Sequence, residues 1–527
     1  MARILVSDPI DQAGVDRLKV AGHDVDVKTG LKPEELESII GGYDALVVRS
    51  ETKVTAAVLS KAAGLQVVGR AGVGVDNIDL DAATAKGVAV VNAPTGNTLA
   101  AAEHAFALMM ALSRNIPAAD ASMRRGEWTR SKFTGVELRN KTLGVIGLGK
   151  VGSEVARRAI AFQMKVLAFD PYLSKDLAAS IGAQVVDMDT LLAGSDYITI
   201  HTPLAPGAKA LIGVPEFPKL KKGVRIINAA RGGLVDEALL KAALESGAVA
   251  GAGLDVFTSE PLKDRSLLDA PHLVVTPHLG ASTEEAQVEV ANEVVEQVLA
   301  ILRGDTAPYT INVPFVPAGV RAALAPFIPV ASAMGRIAIQ LAEGQLESVT
   351  LRVSGEIAEH DAGILASAAL VGVLGAASEV KVNLINAPRF AKERGLNVVQ
   401  ERDPEGAGQY VNLVGVEVKA GGRTAYVAGS TVNGRVHLLR LNDFYLDMEP
   451  SAPYMLFTSQ TDQPGMIGRV GTIAGAHDLN ISFMEVGRDA PRGQATMIVG
   501  FDDPLTEAML AEIRAIPGMV SVTVVTQ

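Results

Sequence analysis

From residue 4 the chain alternates short apolar, β-branched runs with Ala- and Leu-rich stretches. The runs at 4–6, 45–48, 65–68 and 88–91 read as strands, with helical segments between some of them. Such alternation points to a parallel sheet with helices on its faces. An apolar stretch at 100–113 reads as a long helix. A second series starts at Lys141, with strands at 143–146, 166–169, 197–200, 225–228, 253–256 and 273–276. Six such runs are what a doubly wound nucleotide-binding domain requires.

The pattern then changes. Pro308, Pro314 and Pro317 punctuate 307–317, a linker signature. Beyond it, 349–353 reads as a strand and 364–377 as a buried helix. Gly421-Gly422 and Asn433-Gly434 mark hairpin turns between alternating strands. This α+β part carries no evident chemistry. The end of the chain reads strand 454–461, helix 464 to about 477, strands 480–486 and 495–501, helix 504–515 and strand 520–525. That βαββαβ order is ferredoxin-like. A module so small, lacking a nucleophile or metal cluster, points to regulation rather than catalysis.

At 527 residues the chain has room for three or four domains, and 48% apolar residues can fill their cores. A formal net charge of −11 disfavours nucleic acid and anionic membrane as general partners, while leaving room for a local basic pocket. The absence of cysteine excludes disulfides and thiolate chemistry. No metal site is expected. The N-terminal apolar run ends at Asp8-Pro9, too short for a signal peptide, and 364–377 falls short of a membrane span. A cytoplasmic protein is expected.

Two sets of residues carry chemistry. Gly147-x-Gly149-x-x-Gly152 follows an apolar strand and opens a helix. Gly147 permits the tight turn, Gly149 lets a pyrophosphate approach the backbone, and Gly152 lets the helix pack on the sheet. Asp170 ends the next strand, 21 residues after Gly149, where a carboxylate binds the ribose hydroxyls and repels a 2′-phosphate. NAD is therefore expected rather than NADP. Further on, Arg231, Asp255, Glu260 and His278 follow successive strands, where open α/β sheets place their ligand crevice. Histidine near neutral pH suits proton transfer in both directions. A carboxylate beside it favours the imidazolium and fixes the ring. An arginine fork clamps a carboxylate and polarises a carbonyl. His104, on the helix at 100–113, reads as a packed interface histidine, and His201 receives no role.

With these motifs in order, residues 1–312 resemble the D-2-hydroxyacid dehydrogenase family. The resemblance implies an α/β architecture, with a Rossmann domain (99–283) inserted in a flavodoxin-like substrate domain (1–98 and 284–312). It implies Arg231, Glu260 and His278 as the catalytic set. Val73, Val151, Thr202, Ala229 and Asp255 would join the three glycines and Asp170 in the cofactor site, with Asp255 near the nicotinamide amide.

The tail narrows the substrate. Residues 453–527 resemble the ACT fold, an amino-acid sensor, with Asp462-Gln-Pro464-Gly465 and Leu479-Asn480-Ile481 in its ligand loops. Residues 318–450 resemble the intervening domain of the family's long form. Members of that form oxidise 3-phospho-D-glycerate to 3-phosphooxypyruvate, the first step of L-serine synthesis. Under this resemblance Arg49, Ser50, Arg70 and Asn97 line the substrate site. Arg130 comes from a neighbouring subunit of a dimer or tetramer, and Asp462 and Asn480 help bind serine as an effector between paired ACT domains. Reduction of glyoxylate or another keto acid on the same fold is the alternative.

Overall fold

In a computed structural model the described residues are 1–527 except 174, 205–206, 315, 317 and 376–380. Pro317 of the linker and the end of the 364–377 helix thus lie outside the described residues. The first sheet comprises β1 (Arg3–Val6), β2 (Asp24–Val27), β3 (Ala45–Val48), β4 (Val67–Arg70) and β5 (Ala89–Asn92). All five are parallel, in the order β2-β1-β3-β4-β5, which is flavodoxin-like. Alternate residues serve opposite cores: Ile4, Val6, Ala45 and Val47 face one side, Leu5, Leu46 and Val48 the other. The helix Glu284–Leu302 returns to this sheet through Val290, Val294, Val295 and Val298. Gly69 allows that approach, since a methyl there would lie 2.6 Å from Val298 Cγ2. β2 was not among the expected strands because Asp24-Val-Asp-Val27, an edge strand with no fully buried residue, has no apolar run.

The second sheet holds β6 (Thr142–Ile146), β7 (Lys165–Phe169), β8 (Gln184–Val185), β9 (Tyr197–Ile200), β10 (Val224–Asn228), β11 (Val249–Leu254) and β12 (Leu273–Val275). Its order, β12-β11-β10-β9-β6-β7-β8, is the doubly wound one with a further strand. β8 has two residues, too few for a sequence signal. β11 starts four residues before the expected 253 because Gly251 and Gly253 interrupt its apolar run. A methyl at Gly251 would lie 2.7 Å from Leu112 Cδ1. These glycines let the helix Thr98–Ser113 lie against the sheet.

The third sheet comprises β13 (Leu346–Gly355), β14 (Asn397–Asp403), β15 (Asn412–Ala420), β16 (Arg423–Val432), β17 (Arg435–Leu441) and β18 (Phe444–Met448), in the order β14-β13-β15-β16-β17-β18. Both expected hairpin turns are present. Gly421, Gly422, Asn433 and Gly434 have φ of +55°, +75°, +52° and +77°, the type I′ requirement. The apolar segment Gly319–Ala342 has the length and composition of a membrane span. It is a core helix instead: Pro326 sits in a 3₁₀ turn within it, and Val330, Met334, Ile337 and Ala338 are buried against the sheet. The last sheet, β19 (Tyr454–Thr461), β20 (Ile481–Arg488), β21 (Gln494–Phe501) and β22 (Met519–Thr526), runs β20-β21-β19-β22, the ferredoxin-like order. Met455, Phe457, Ile498 and Val525 share one core with Met334 and Ile337, so this module is sealed onto its neighbour.

Candidate active site

The second sheet delivers its polar residues at strand C-terminal ends. Asn228 closes β10, Asp255 follows β11, and Thr276-Pro277-His278 follows β12. His278 Nδ1 lies 2.6 Å from Glu260 Oε2, and Glu260 Oε1 accepts the Phe257 N–H at 2.9 Å. Burial works against the Glu260 carboxylate, but the hydrogen bonds from His278 and Phe257 outweigh it, and its pKa falls below the usual range. His278 has φ +57°, the left-handed region that disfavours a side-chain-bearing residue, so its loop must be held by other contacts. Asp255 supplies them. It accepts the Thr276 hydroxyl at 2.6 Å and the Leu279 and Gly280 N–H groups at 2.7 and 2.8 Å. Its own carbonyl accepts the His278 N–H at 2.8 Å.

Asp255 is fully buried. It anchors the loop that carries His278. His104 Nε2 lies 2.9 Å from Thr276 Oγ1 and 3.1 Å from Asp255 Oδ1. His104 is thus a packed histidine, and it ties the helix Thr98–Ser113 to the His278 loop. His201 bonds Thr199 Oγ1 at 2.8 Å, and burial pushes its pKa down to about 4, so it is neutral at physiological pH.

A cluster of cations gathers around the loop after β4. Arg231 Nε pairs with Asp76 Oδ2 at 3.3 Å, spanning from the nucleotide domain to the loop after β4. A methyl at Gly74 would lie 2.2 Å from Arg231 Nη2, so Gly74 makes room for the guanidinium. Arg70 ends β4, and its Nε is buried with no hydrogen-bond partner. Burial, reinforced by the charges of Arg231 and Arg49, lowers its pKa to about 10. Arg49 shares a small cavity with Gly72, with Gln287 of the helix that returns to the first sheet, and with Ala281 just before that helix. An unpaired buried donor beside two further cations, only partly offset by Asp76 and Asp8, is costly unless an anion completes the site. Ser50 is exposed beside Arg49, Val73 is exposed in the loop after β4, and Asn97 is half-buried, with no side-chain cap bond, before the helix Thr98–Ser113. Arg130 is exposed, in a 3₁₀ turn. Asp76 carried no signal of its own beyond following Gly72-Val73-Gly74.

The glycine loop fits a dinucleotide. Gly147 has φ +88°, and a methyl there would meet the His201 carbonyl at 2.7 Å. A methyl at Gly152 would lie 2.0 Å from the Gly147 oxygen. Gly149, at the N-terminus of the helix Lys150–Ala161, faces open space. Two glycines are thus filled by protein, and the third is left for a ligand phosphate. Val151 lies half-buried in the first turn of that helix. The Leu148 N–H donates to Asp170 Oδ2 at 3.0 Å, holding that carboxylate at the end of β7. Thr202 Oγ1 is buried and unpartnered at the end of β9, and half-buried Ala229 follows β10.

Comparison with known proteins agrees with this geometry. Residues 106–280 match the model of the D-isomer specific 2-hydroxyacid dehydrogenase NAD-binding domain, 323–441 that of the D-3-phosphoglycerate dehydrogenase intervening domain, and 454–518 the ACT domain. A D-3-phosphoglycerate dehydrogenase of Synechocystis is 43% identical over 98% of this chain and 94% of its own. One from Archaeoglobus fulgidus is 42% identical over 99% of both. This chain belongs to the D-3-phosphoglycerate dehydrogenase family. Among solved structures, Aquifex aeolicus D-lactate dehydrogenase, complexed with NAD and lactic acid, superposes on 57% of this chain and 96% of its own at TM-score 0.52 and 29% identity. A glyoxylate reductase superposes on 59% of this chain and 97% of its own at TM-score 0.54 and 33% identity.

In this family member the two ACT loop residues lie apart. Asp462 follows β19 and accepts the Arg492 N–H at 2.9 Å and Arg488 Nη1 at 3.2 Å. The Arg492 N–H, followed by Arg488, holds its carboxyl below the usual range. Asn480 precedes β20 and donates to Asp502 at 2.7 Å. Thr461 pairs with Gln494 at one end of the sheet, whereas Ile481 and Tyr454 flank Phe501 at the other. The two residues are therefore roughly 24 Å apart at about 3.4 Å per strand residue. They can share one ligand only across two ACT domains.

Proposed function

We propose that this protein oxidises 3-phospho-D-glycerate to 3-phosphooxypyruvate with NAD, opening L-serine synthesis in the cytoplasm. The observation that carries the substrate is the Arg49, Arg70 and Arg231 cluster with its unpartnered Arg70 Nε, beside the His278–Glu260 pair as the proton-transfer unit of the same fold. A substrate with a carboxylate and a phosphate supplies the missing anions. Bound NAD supplies the hydride acceptor for the C2 hydrogen. His278 Nε2 takes the C2 hydroxyl proton, while Nδ1 stays on Glu260, so the ring remains oriented as it becomes charged. Arg231 holds the C1 carboxylate and polarises the carbonyl that forms at C2. Arg70 and Arg49 hold the phosphate, with Ser50 and Asn97 at the rim and Arg130 supplied by a neighbouring subunit. Thr202, Val73, Val151 and Ala229 line the cofactor, whose ribose hydroxyls Asp170 binds.

Asp462 of one ACT domain and Asn480 of another are the proposed serine ligands, which requires a homo-oligomer. The test is NADH formation from 3-phosphoglycerate, with and without serine, alongside a His278→Ala variant. Turnover reduced by about 10²–10⁴ in the variant supports the assignment. Near-normal turnover in His278→Ala, or activity with glyoxylate and none with a phosphorylated acid, overturns it.

A further inference from the structure

A second cavity lies at the seam between the first sheet and the intervening domain, away from the strand ends that carry the cleft. It encloses about 1560 Å³ including its mouth. Leu65 and Gln66, just before β4, and Ala89, the first residue of β5, form one wall. Ile364 and Leu384 of the intervening domain form the opposite wall, and the linker closes the side. The seam is fastened on both flanks. Asn383 Nδ2 donates to the Gly87 carbonyl at 2.7 Å, and Arg389 Nη1 to the Asp81 carbonyl at 3.1 Å. Ile385 packs against the apolar cluster beneath β1, β3 and β5. Small-molecule sites favour such domain junctions.

The lining carries a definite charge. Lys86, Lys381 and Arg321 contribute to it, and none makes an ion pair with a carboxylate among the described residues. Arg321 instead donates to the Pro308 and Val316 carbonyls at 2.8 and 3.2 Å, and burial lowers its pKa. Among the described residues the one acid in the lining, Asp305, is engaged by Arg303 at 3.3 Å. Apolar walls with three cations that have no carboxylate partner among the described residues select an organic anion with an apolar body. The cavity also has a mechanical connection to the cleft. β4 begins beside it at Val67 and ends three residues later at Arg70, about 10 Å along the strand. A ligand that wedges or seals the seam therefore bears on the strand that positions the unpartnered arginine.

We propose that this seam cavity binds a small amphipathic anion, an aromatic or aliphatic body with a carboxylate, sulfonate or phosphate head, and that its occupancy changes substrate affinity. The substrate effect rests on the dehydrogenase reading; the binding does not. The probe is 1-anilinonaphthalene-8-sulfonate, titrated by fluorescence into the full chain at saturating NAD so that the nucleotide cleft is filled. Two variants report on the cavity: Leu384→Trp fills it, and Lys86→Glu with Lys381→Glu reverses its charge. Each is checked for wild-type secondary structure and basal turnover. The expected result is saturable binding weakened about tenfold or more in both variants. With it goes a shift of about fivefold or more in the KM for 3-phosphoglycerate, seen in the wild type and lost in Leu384→Trp. Binding that persists unchanged in both folded variants overturns the site, and a KM indifferent to the probe overturns the coupling. An inactive protein that still binds the probe in this variant-sensitive way would sink the reaction and keep the site.

Discussion

Replacing Glu260 with Gln tests the proton-transfer pair most sharply, because both carboxylate oxygens are in use. Oε2 meets His278 Nδ1 at 2.6 Å, and Oε1 accepts the Phe257 N–H at 2.9 Å. An amide has one acceptor. If its oxygen faces His278, its NH₂ confronts the Phe257 N–H; if it faces Phe257, its NH₂ confronts the imidazole. Either way one charge-assisted hydrogen bond is lost, and the imidazolium formed during oxidation loses its counter-charge. Such a bond contributes about 1.5–3 kcal/mol. The pair is half-exposed, with side chains 48% and 36% accessible, so the lower part of that range applies. About 1.5–2 kcal/mol corresponds to a 10- to 30-fold fall in kcat. The KM for 3-phosphoglycerate should hold, since Glu260 is not among the residues assigned to the substrate's anions. Steady-state NADH formation measures both constants, and NAD binding by calorimetry confirms an intact nucleotide domain. A kcat within twofold of the wild type would refute the role of Glu260.

Three further substitutions separate the other parts of the site. Gly152→Ala forces a methyl to within 2.0 Å of the Gly147 oxygen. At about 1–3 kcal/mol of overpacking, NAD affinity measured by calorimetry should fall roughly 5- to 150-fold, and unchanged affinity would sink the packing argument. For Asp255, burial raises the pKa but the bonds from His104, Thr276 and Leu279 lower it further, for a net fall. Its stabilisation is therefore present at neutral pH and lost as pH drops below the ordinary carboxylate range of about 4. Asp255→Asn should lower the urea midpoint at pH 7 and show a shrinking deficit below pH of about 4; a deficit constant down to about pH 3 would contradict the sign. Arg70→Met should raise the KM for 3-phosphoglycerate about 10- to 100-fold while raising the melting temperature of the unliganded protein, because it removes a buried cation beside Arg49 and Arg231. A lower melting temperature would mean that Arg70 is structural.

Much of this was legible because local chemistry and the global fold made the same demand. The Gly147, Gly149 and Gly152 spacing is readable since two of the glycines meet backbone where no side chain fits. The Gly421-Gly422 and Asn433-Gly434 turns are readable since positive φ at paired positions tolerates few residues. The misses have the opposite character. β2 gains its place from pairing with β1 at an edge, not from any apolar run of its own. The early residues of β11 are small because a helix lies over them, so tertiary packing removed the strand signal. His104 and Asp76 act through partners 172 and 155 residues away, Thr276 and Arg231. No spacing rule along the chain reports such contacts. The anchoring role of Asp255 was not legible either, since only the folded loop shows its oxygens turned to four donors.

The ion pair between Arg231 and Asp76 explains how a crowded cation cluster coexists with a stable unliganded cleft. Arg231 belongs to the nucleotide domain, whereas Asp76, Arg49 and Arg70 belong to the other. Asp76 is three-quarters exposed, so its hold on Arg231 is weak and easily exchanged. A substrate carboxylate competes for the same guanidinium with the advantage of a fork-to-fork geometry. On the proposed assignment its phosphate, meanwhile, reaches Arg49 and Arg70 of the first domain. A doubly anionic substrate so assigned would neutralise cations contributed by both domains. A simple hydroxy acid can satisfy only one side. On that assignment, selectivity for a phosphorylated acid would follow from how the charges are divided between the domains.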